Sequence, residues 1–134
     1  QILLLNSDLF TDVNIEEMFS QLIDNNVDMV IASTEYKVDI PYAVFECSSY
    51  KVNALKEKPS YTYYSNAGIY LFKKELISKI PKNSYFDITD LMDLLVEKGK
   101  EILHNPIKGY WIDIGTPSDY VKAKEFIKRN KLEN

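Results

Sequence analysis

The stretch "ILLLNSDLFTDVNIEEMFSQLIDNNVDMVIAST", residues 2–34, decides the fold. Its first four residues, Ile2 to Leu5, are an unbroken apolar run. Such a run predicts a strand buried on both faces and away from a sheet edge. From Asp12 the period changes. Ile15, Met18, Phe19, Leu22 and Ile23 recur at helical spacing, Asp12 or Asn14 can cap the start, and Asn25 or Asn26 stands near the stop. Val27 to Thr34 then returns as a second apolar strand. Strand, helix and strand with short joins predict a βαβ unit, hence a parallel sheet with a right-handed crossover.

Beyond residue 34 the pattern is different. "YAVFECSS" (42–49), "KVNALKEK" (51–58) and "SNAGIYLF" (65–72) read as short strands separated by polar turns, with no helix of useful length between them. They predict an antiparallel excursion added to the parallel sheet. "KKELISKIP" (73–81) is a brief helix ended by Pro81. "FDITDLMDLLVEKGK" (86–100) is a stronger one, with Asp87 as cap, Leu91, Leu94 and Leu95 as apolar stripe and Gly99 as stop. "EILHNPI" and "YWIDIG" are the closing strands. Thr116 caps a last helix with Pro117 in its first turn, and Tyr120, Ala123, Phe126 and Ile127 are expected to face inward. The expected architecture is α/β with a mixed sheet, a single domain over residues 1–134.

The 134 residues are 46% apolar and 27% charged, with net charge −4. That is the profile of one globular domain with a sizeable core. No basic block is present, which argues against a nucleic-acid partner. The single cysteine, Cys47, cannot form an internal disulfide, so a reducing, cytoplasmic setting is expected. No run has the apolar length of a membrane span. The chain opens at Gln1 without Met, already inside what reads as a core strand, and the expectation is a piece of a longer protein.

Two aspartates stand out against apolar surroundings. Asp8 follows the first strand, and Asp113 sits within "YWIDI". A buried carboxylate needs a partner or a cation. Strand ends of α/β sheets are where ligands bind. Two carboxylates meeting there would repel each other unless a divalent cation lay between them. Mg²⁺ suits such a site, since it takes one or two carboxylates plus substrate phosphates. The plainer alternative is that each aspartate caps a neighbouring turn or helix. In "LKEKP" (55–59), Pro59 biases Lys58 toward an extended backbone. Glu57 and Lys58 could then bind a sugar hydroxyl and a phosphate, or be an ordinary solvated turn. Asn66, Ala67 and Gly68 head a strand where a ligand can approach the backbone, or simply begin it. His104 and Cys47 read as structural.

In this order, "LLLNSDLFT", "IPYAVF", "LKEKP", "SNAGIYLF", "FDITDLMDLLVEKGK" and "GYWIDIGTPSDY" resemble the second half of the sugar-1-phosphate nucleotidyltransferases, the nucleotide-sugar pyrophosphorylases. "NSDL" and "EYKVDIPYAVF" resemble the branch of guanylyltransferase-like members that often carry CBS regulatory modules. The resemblance implies the C-terminal part of a Rossmann-like nucleotide-diphospho-sugar transferase fold. It also implies transfer of a nucleotidyl group from a nucleoside triphosphate to a sugar 1-phosphate, releasing pyrophosphate. Asp8 and Asp113 match the family's Mg²⁺-holding aspartates, and Glu57 and Lys58 the pair that bind the sugar and its phosphate. Asn66 and Ala67 match the strand head lining the sugar pocket. Ala43 stands where many relatives have a glycine approaching the sugar. The family's Gly-rich loop, of the form GGxGTRL, does not occur in this chain, so the chain alone is expected to be inactive. An apolar edge at Ile2–Leu5 would favour a homodimer or an exchanged dimer. The alternative reading is a non-catalytic regulatory or binding homologue of the same fold.

Overall fold

The computed structural model describes residues 1–131, so the last three residues of the expected domain lie outside the described residues. Two compact units are distinguished, one formed by residues 1–34 and 66 onward, the other by residues 35–65.

β1 (Ile2–Leu5), β3 (Met29–Asp39), β6 (Ser60–Phe72) and β7 (Ile102–Pro106) form one sheet in the order β1-β6-β3-β7, and β3 up to Thr34 and β6 from Asn66 belong to the first unit. β1 runs antiparallel to β6, with Ile2 opposite Phe72 and Leu5 opposite Ile69, whereas β3 and β7 are parallel. The sheet is therefore mixed, as expected. The two strands read as a βαβ unit, β1 and β3, lie in the same sheet with β6 inserted between them. Periodicity identifies strands but carries no information about which strand is inserted beside which.

Strand alternation divides the core into two layers. Val30, Ala32, Ile69 and Leu71 pack with Met18 and Leu22 of α1 (Ile15–Asp24) on one face. Met29, Ile31, Tyr70 and Phe72 pack with Leu91 and Leu95 of α2 (Ile88–Glu97) on the other. α1 starts where its cap residue demands, with Asn14 Oδ1 accepting the Glu17 N–H at 3.0 Å. At the start of α2, the Asp87 N–H donates to Asp90 Oδ2 at 2.7 Å, one half of a capping box. A 3-10 turn, Lys74–Lys79, precedes it.

β1 is an edge strand, and Leu3, Leu4 and Leu5 are 39%, 42% and 52% exposed: this is the apolar edge expected at Ile2–Leu5, and not the fully covered strand that the apolar run by itself predicts. Four consecutive apolar residues report hydrophobicity on both faces, but burial requires something packed on each. Among the described residues, β6 is the strand that pairs with β1.

β2 (Leu9–Thr11) and β8 (Trp111–Asp113) form a separate two-stranded antiparallel ladder. Trp111 Nε1 donates to the Ala67 carbonyl at 2.9 Å and so ties that ladder to β6. α3 (Pro117–Lys131) follows. It is held by Phe126, whose ring centroid lies 4.7 Å from Tyr110 and 6.3 Å from Phe10. Ala123 is buried, but Tyr120 and Ile127 are 58% and 36% exposed, contrary to the inward orientation expected of them. The aromatic contact through Phe126 fixes which stripe of the helix faces the protein.

In the second unit, β4 (Val44–Ser48) and β5 (Lys51–Lys56) form a hairpin turned at Ser49 and Tyr50, Ser49 adopting φ 55°. A register shift between Glu46 and Cys47 places Val52 opposite Cys47. Without it Val52, three residues from Leu55, would point to the other side. The shift gathers Phe45, Cys47, Val52 and Leu55 on one face.

Candidate functional site

The ladder between β2 and β8 brings together residues from the two ends of the chain. Leu9 pairs with Asp113, and one step further the Ile114 N–H donates to the Asp8 carbonyl at 2.7 Å. Asp8, in the turn before β2, and Asp113, at the end of β8, thus stand at the same end of the ladder, with Asp113 opposite Leu9 and Asp8 opposite Ile114. Both are exposed, so the premise that they sit buried in apolar surroundings is corrected. β8 is only three residues long and has one strand partner, so an apolar sequence around Asp113 does not translate into burial. Among the described residues, no hydrogen bond or ion pair engages either carboxylate. The capping role goes elsewhere: the Asp119 N–H donates to Thr116 Oγ1 at 3.3 Å, and α1 is capped by Asn14.

Asp113 lines an open cleft of about 590 Å³ together with Trp111, Gly115, Thr116, Asp119 and Lys122. Thr116 Oγ1 donates to Asp119 Oδ2 at 2.6 Å, and Lys122 Nζ donates to Asp119 Oδ1 at 2.9 Å. The Thr116 hydroxyl first, and Lys122 second, hold the Asp119 carboxyl below the ordinary aspartate range. Thr-x-x-Asp is capping-box spacing, a signal present in the sequence for Asp119 as well as Thr116. A depressed carboxyl contributes its stabilisation above the ordinary titration range and loses it as pH falls through the lowered value. Acidification from about pH 5 to about pH 2 is therefore expected to release the first turn of α3. The Asp119 and Tyr120 amide resonances report this. A carboxyl resonance of Asp119 titrating at or above the ordinary range contradicts it.

The remaining expected residues fall as follows. Asn66 is exposed on β6; its Nδ2 donates to the Tyr70 hydroxyl and its Oδ1 accepts the Gly68 N–H, both at 2.9 Å. The Ala67 methyl is fully buried in the α1-side core, and its carbonyl holds Trp111. Gly68 has φ +75°, and a Cβ there would lie 2.6 Å from Asn6 Nδ2, so glycine answers both a backbone and a space requirement. In the second unit, Ala43 is half-buried just before β4, and Glu57 and Lys58 are exposed in the bend after β5. Lys58 adopts φ 42°, not the extended backbone expected before proline. The tight return from β5 to β6 overrides that local bias. His104, read as isolated, has a partner: its Nδ1 lies 2.9 Å from the hydroxyl of buried Ser33.

Mg²⁺ keeps several waters and takes few protein carboxylates, and exposed carboxylates such as those of Asp8 and Asp113 are donors of the kind it takes. Among the described residues no three His, Cys, Asp or Glu side chains cluster as a metal-binding group, so an all-protein cage is not on offer. No helix among the described residues is long and apolar enough to cross a membrane.

Comparison with known proteins decides the family. The profile described as "Nucleotidyl transferase" matches residues 1–130. The chain belongs to the nucleotidyl transferase family. Among relatives in this family, a Sulfolobus acidocaldarius protein named "Putative mannose-1-phosphate guanyltransferase" is 26% identical over 123 residues, which cover 90% of this chain and 34% of that protein. The glucose-1-phosphate adenylyltransferase of Bacillus mycoides is 24% identical, over 97% of this chain and 38% of its own length. The chain thus spans about a third of the length of these curated relatives. The crystal structure of HddC from Yersinia pseudotuberculosis superposes with TM-score 0.61 at 26% identity, covering 94% of this chain and 55% of that one. The nucleotidyl transferase fold inferred from motif order is therefore the fold observed, as about half of such a chain.

Proposed function

We propose that this chain is the sugar-phosphate- and metal-holding part of a sugar-1-phosphate nucleotidyltransferase. The reaction is attack of a sugar 1-phosphate oxygen on the α-phosphorus of a nucleoside triphosphate, with pyrophosphate leaving. The observation that supports this reading is that the turn before β2 hydrogen-bonds the Asp8 carbonyl to Ile114, the neighbour of Asp113, so two exposed carboxylates without partners among the described residues stand at one end of the β2–β8 ladder. They would hold Mg²⁺, which when bound neutralises phosphate charge. The chain's own contribution is positioning, since in-line phosphoryl-type chemistry needs no covalent nucleophile. Asn66 belongs to the same reading as a sugar contact, with Ala67 supporting it from the core and seating Trp111. Glu57 and Lys58 are proposed to meet the sugar and its phosphate, and Ala43 to tune which sugar is accepted.

A guanine nucleotide is the favoured donor. The Sulfolobus relative carries a guanyltransferase name, and a structure of HddC, 25% identical to this chain, is complexed with GMP-PN. This also supports membership of the guanylyltransferase-like branch associated with CBS modules. No GGxGTRL-like segment is present, so by itself this chain is proposed to be inactive. The open apolar edge of β1 supports pairing of the isolated chain with a second copy.

The test is pyrophosphate release by the longest polypeptide that contains this chain, given Mg²⁺, each nucleoside triphosphate and a panel of sugar 1-phosphates. Release with GTP and one sugar phosphate is expected, and none from residues 1–134 alone. A folded full-length protein that releases nothing across the panel moves the reading to a regulatory homologue.

A further inference from the structure

A second cavity, of about 270 Å³, opens between the first turn of α1 and the end of β7. Its floor is the side chain of Asn105. Leu103 and Ile107, two residues to either side, pack against the core beneath α1, so strand alternation turns Asn105 to that same face. Asn105 is only 3% exposed, and no hydrogen bond among the described residues engages its amide. Its amide atoms are not among the side-chain atoms buried without a partner, so they still reach the cavity, where they offer two donors and an acceptor to an occupant. Further along the same face of α1, Gln21 Oε1 is buried without a partner among the described residues.

The rest of the lining restricts what could satisfy that amide. Asp12 and Glu17 contribute carboxylates, and Lys108 Nζ lies 3.4 Å from Glu17 Oε1, so its charge is already shared. Two carboxylates against one ammonium disfavour a phosphate or other anion. Asp12 Oδ1 already accepts the Tyr110 N–H at 2.8 Å, which leaves too few ligands for a dedicated cation site. The volume lies just below the usual range for ligand pockets, which suits one ring and not a nucleotide. Val13, Pro106 and Ile107 supply an apolar wall opposite the polar groups. An apolar wall for C–H faces, with a carboxylate and an amide for hydroxyl edges, is the chemistry of a polyhydroxylated ring.

We propose that this cavity binds a neutral, unphosphorylated monosaccharide through Asn105, at a site separate from Asp8 and Asp113. The proposal does not depend on the transferase reading, because it uses none of the residues assigned there.

Titration of the ¹⁵N-labelled chain with D-mannose, D-glucose or N-acetyl-D-glucosamine tests it. Shifts at Asn14, Asn105 and Gly109 are expected, with dissociation constants on the order of 1–10 mM. Asn105→Leu is expected to weaken binding at least tenfold. Glu17→Ala, on the surface of α1, should weaken it about threefold and keeps the test open if Asn105→Leu does not fold. Asp113→Asn should leave it unchanged. Shifts confined to Asp8 and Asp113, unchanged affinity in the folded variants, or no shifts with up to about 50 mM sugar would each overturn the assignment.

Discussion

Asp113→Asn is expected to lower pyrophosphate release by the full-length protein about a thousandfold, equivalent to about 4 kcal/mol of transition-state stabilisation. The change removes a charge and keeps the shape. Asp113 is exposed, its side chain has no partner among the described residues, and the backbone pairing with Leu9 is untouched by an amide. Stability should therefore move by no more than about 0.5 kcal/mol. What is lost is one of two carboxylates proposed to hold Mg²⁺, and a neutral amide oxygen is a weaker ligand for a hard cation. The Mg²⁺ concentration needed for half-maximal activity should rise together with the fall in turnover. A variant that keeps activity within about threefold would remove Asp113 from the metal site. A variant that fails by unfolding would instead point to a structural role, and a urea melt separates the two.

The likeness to a family was legible because it resided in ordered local motifs, and the helices because their periodicity and caps are local. α1 begins at the asparagine that the spacing singled out. The exposure of β1 was legible from the family resemblance and not from the run itself, since Ile2–Leu5 has the composition of a fully covered strand and coverage is decided by other segments. The run around Asp113 misleads in the same way: "YWIDI" reads as interior, yet it forms a three-residue strand in a two-stranded ladder. Lys58 shows a local rule losing to a turn. Steric pressure from Pro59 favours an extended residue before it, but the chain must reverse between β5 and β6, and Lys58 takes φ 42°. Asn105 gave no signal at all, because an asparagine between apolar neighbours in a strand becomes informative only when it is found almost wholly shielded at the floor of a cavity.

Gly109→Ala is expected to destabilise the fold by about 3 kcal/mol, with Asp12 as the reason. A Cβ at position 109 would coincide with the Asp12 carboxylate. That carboxylate accepts the Tyr110 N–H at 2.8 Å, while the Asp12 N–H and the Thr11 hydroxyl both donate to the Tyr110 carbonyl, at 3.3 and 2.8 Å. Residues 11, 12 and 110 are thus locked where the β2–β8 ladder begins, and the ladder ends at Asp8 and Asp113. Driving the carboxylate out removes a charge-assisted bond and forces the loop apart. Asp12→Ala alone loses only the bond, about 1.5 kcal/mol. Once the carboxylate is gone the added methyl has room, so the double variant should be no worse than about 2 kcal/mol. The two losses are then strongly non-additive, and urea midpoints of the four proteins measure the coupling. Additive losses would mean that residue 109 needs glycine for some reason other than the space taken by Asp12. Non-additivity would mean that a carboxylate and a missing side chain, far apart in sequence, jointly set the register that pairs Leu9 with Asp113 and Asp8 with Ile114.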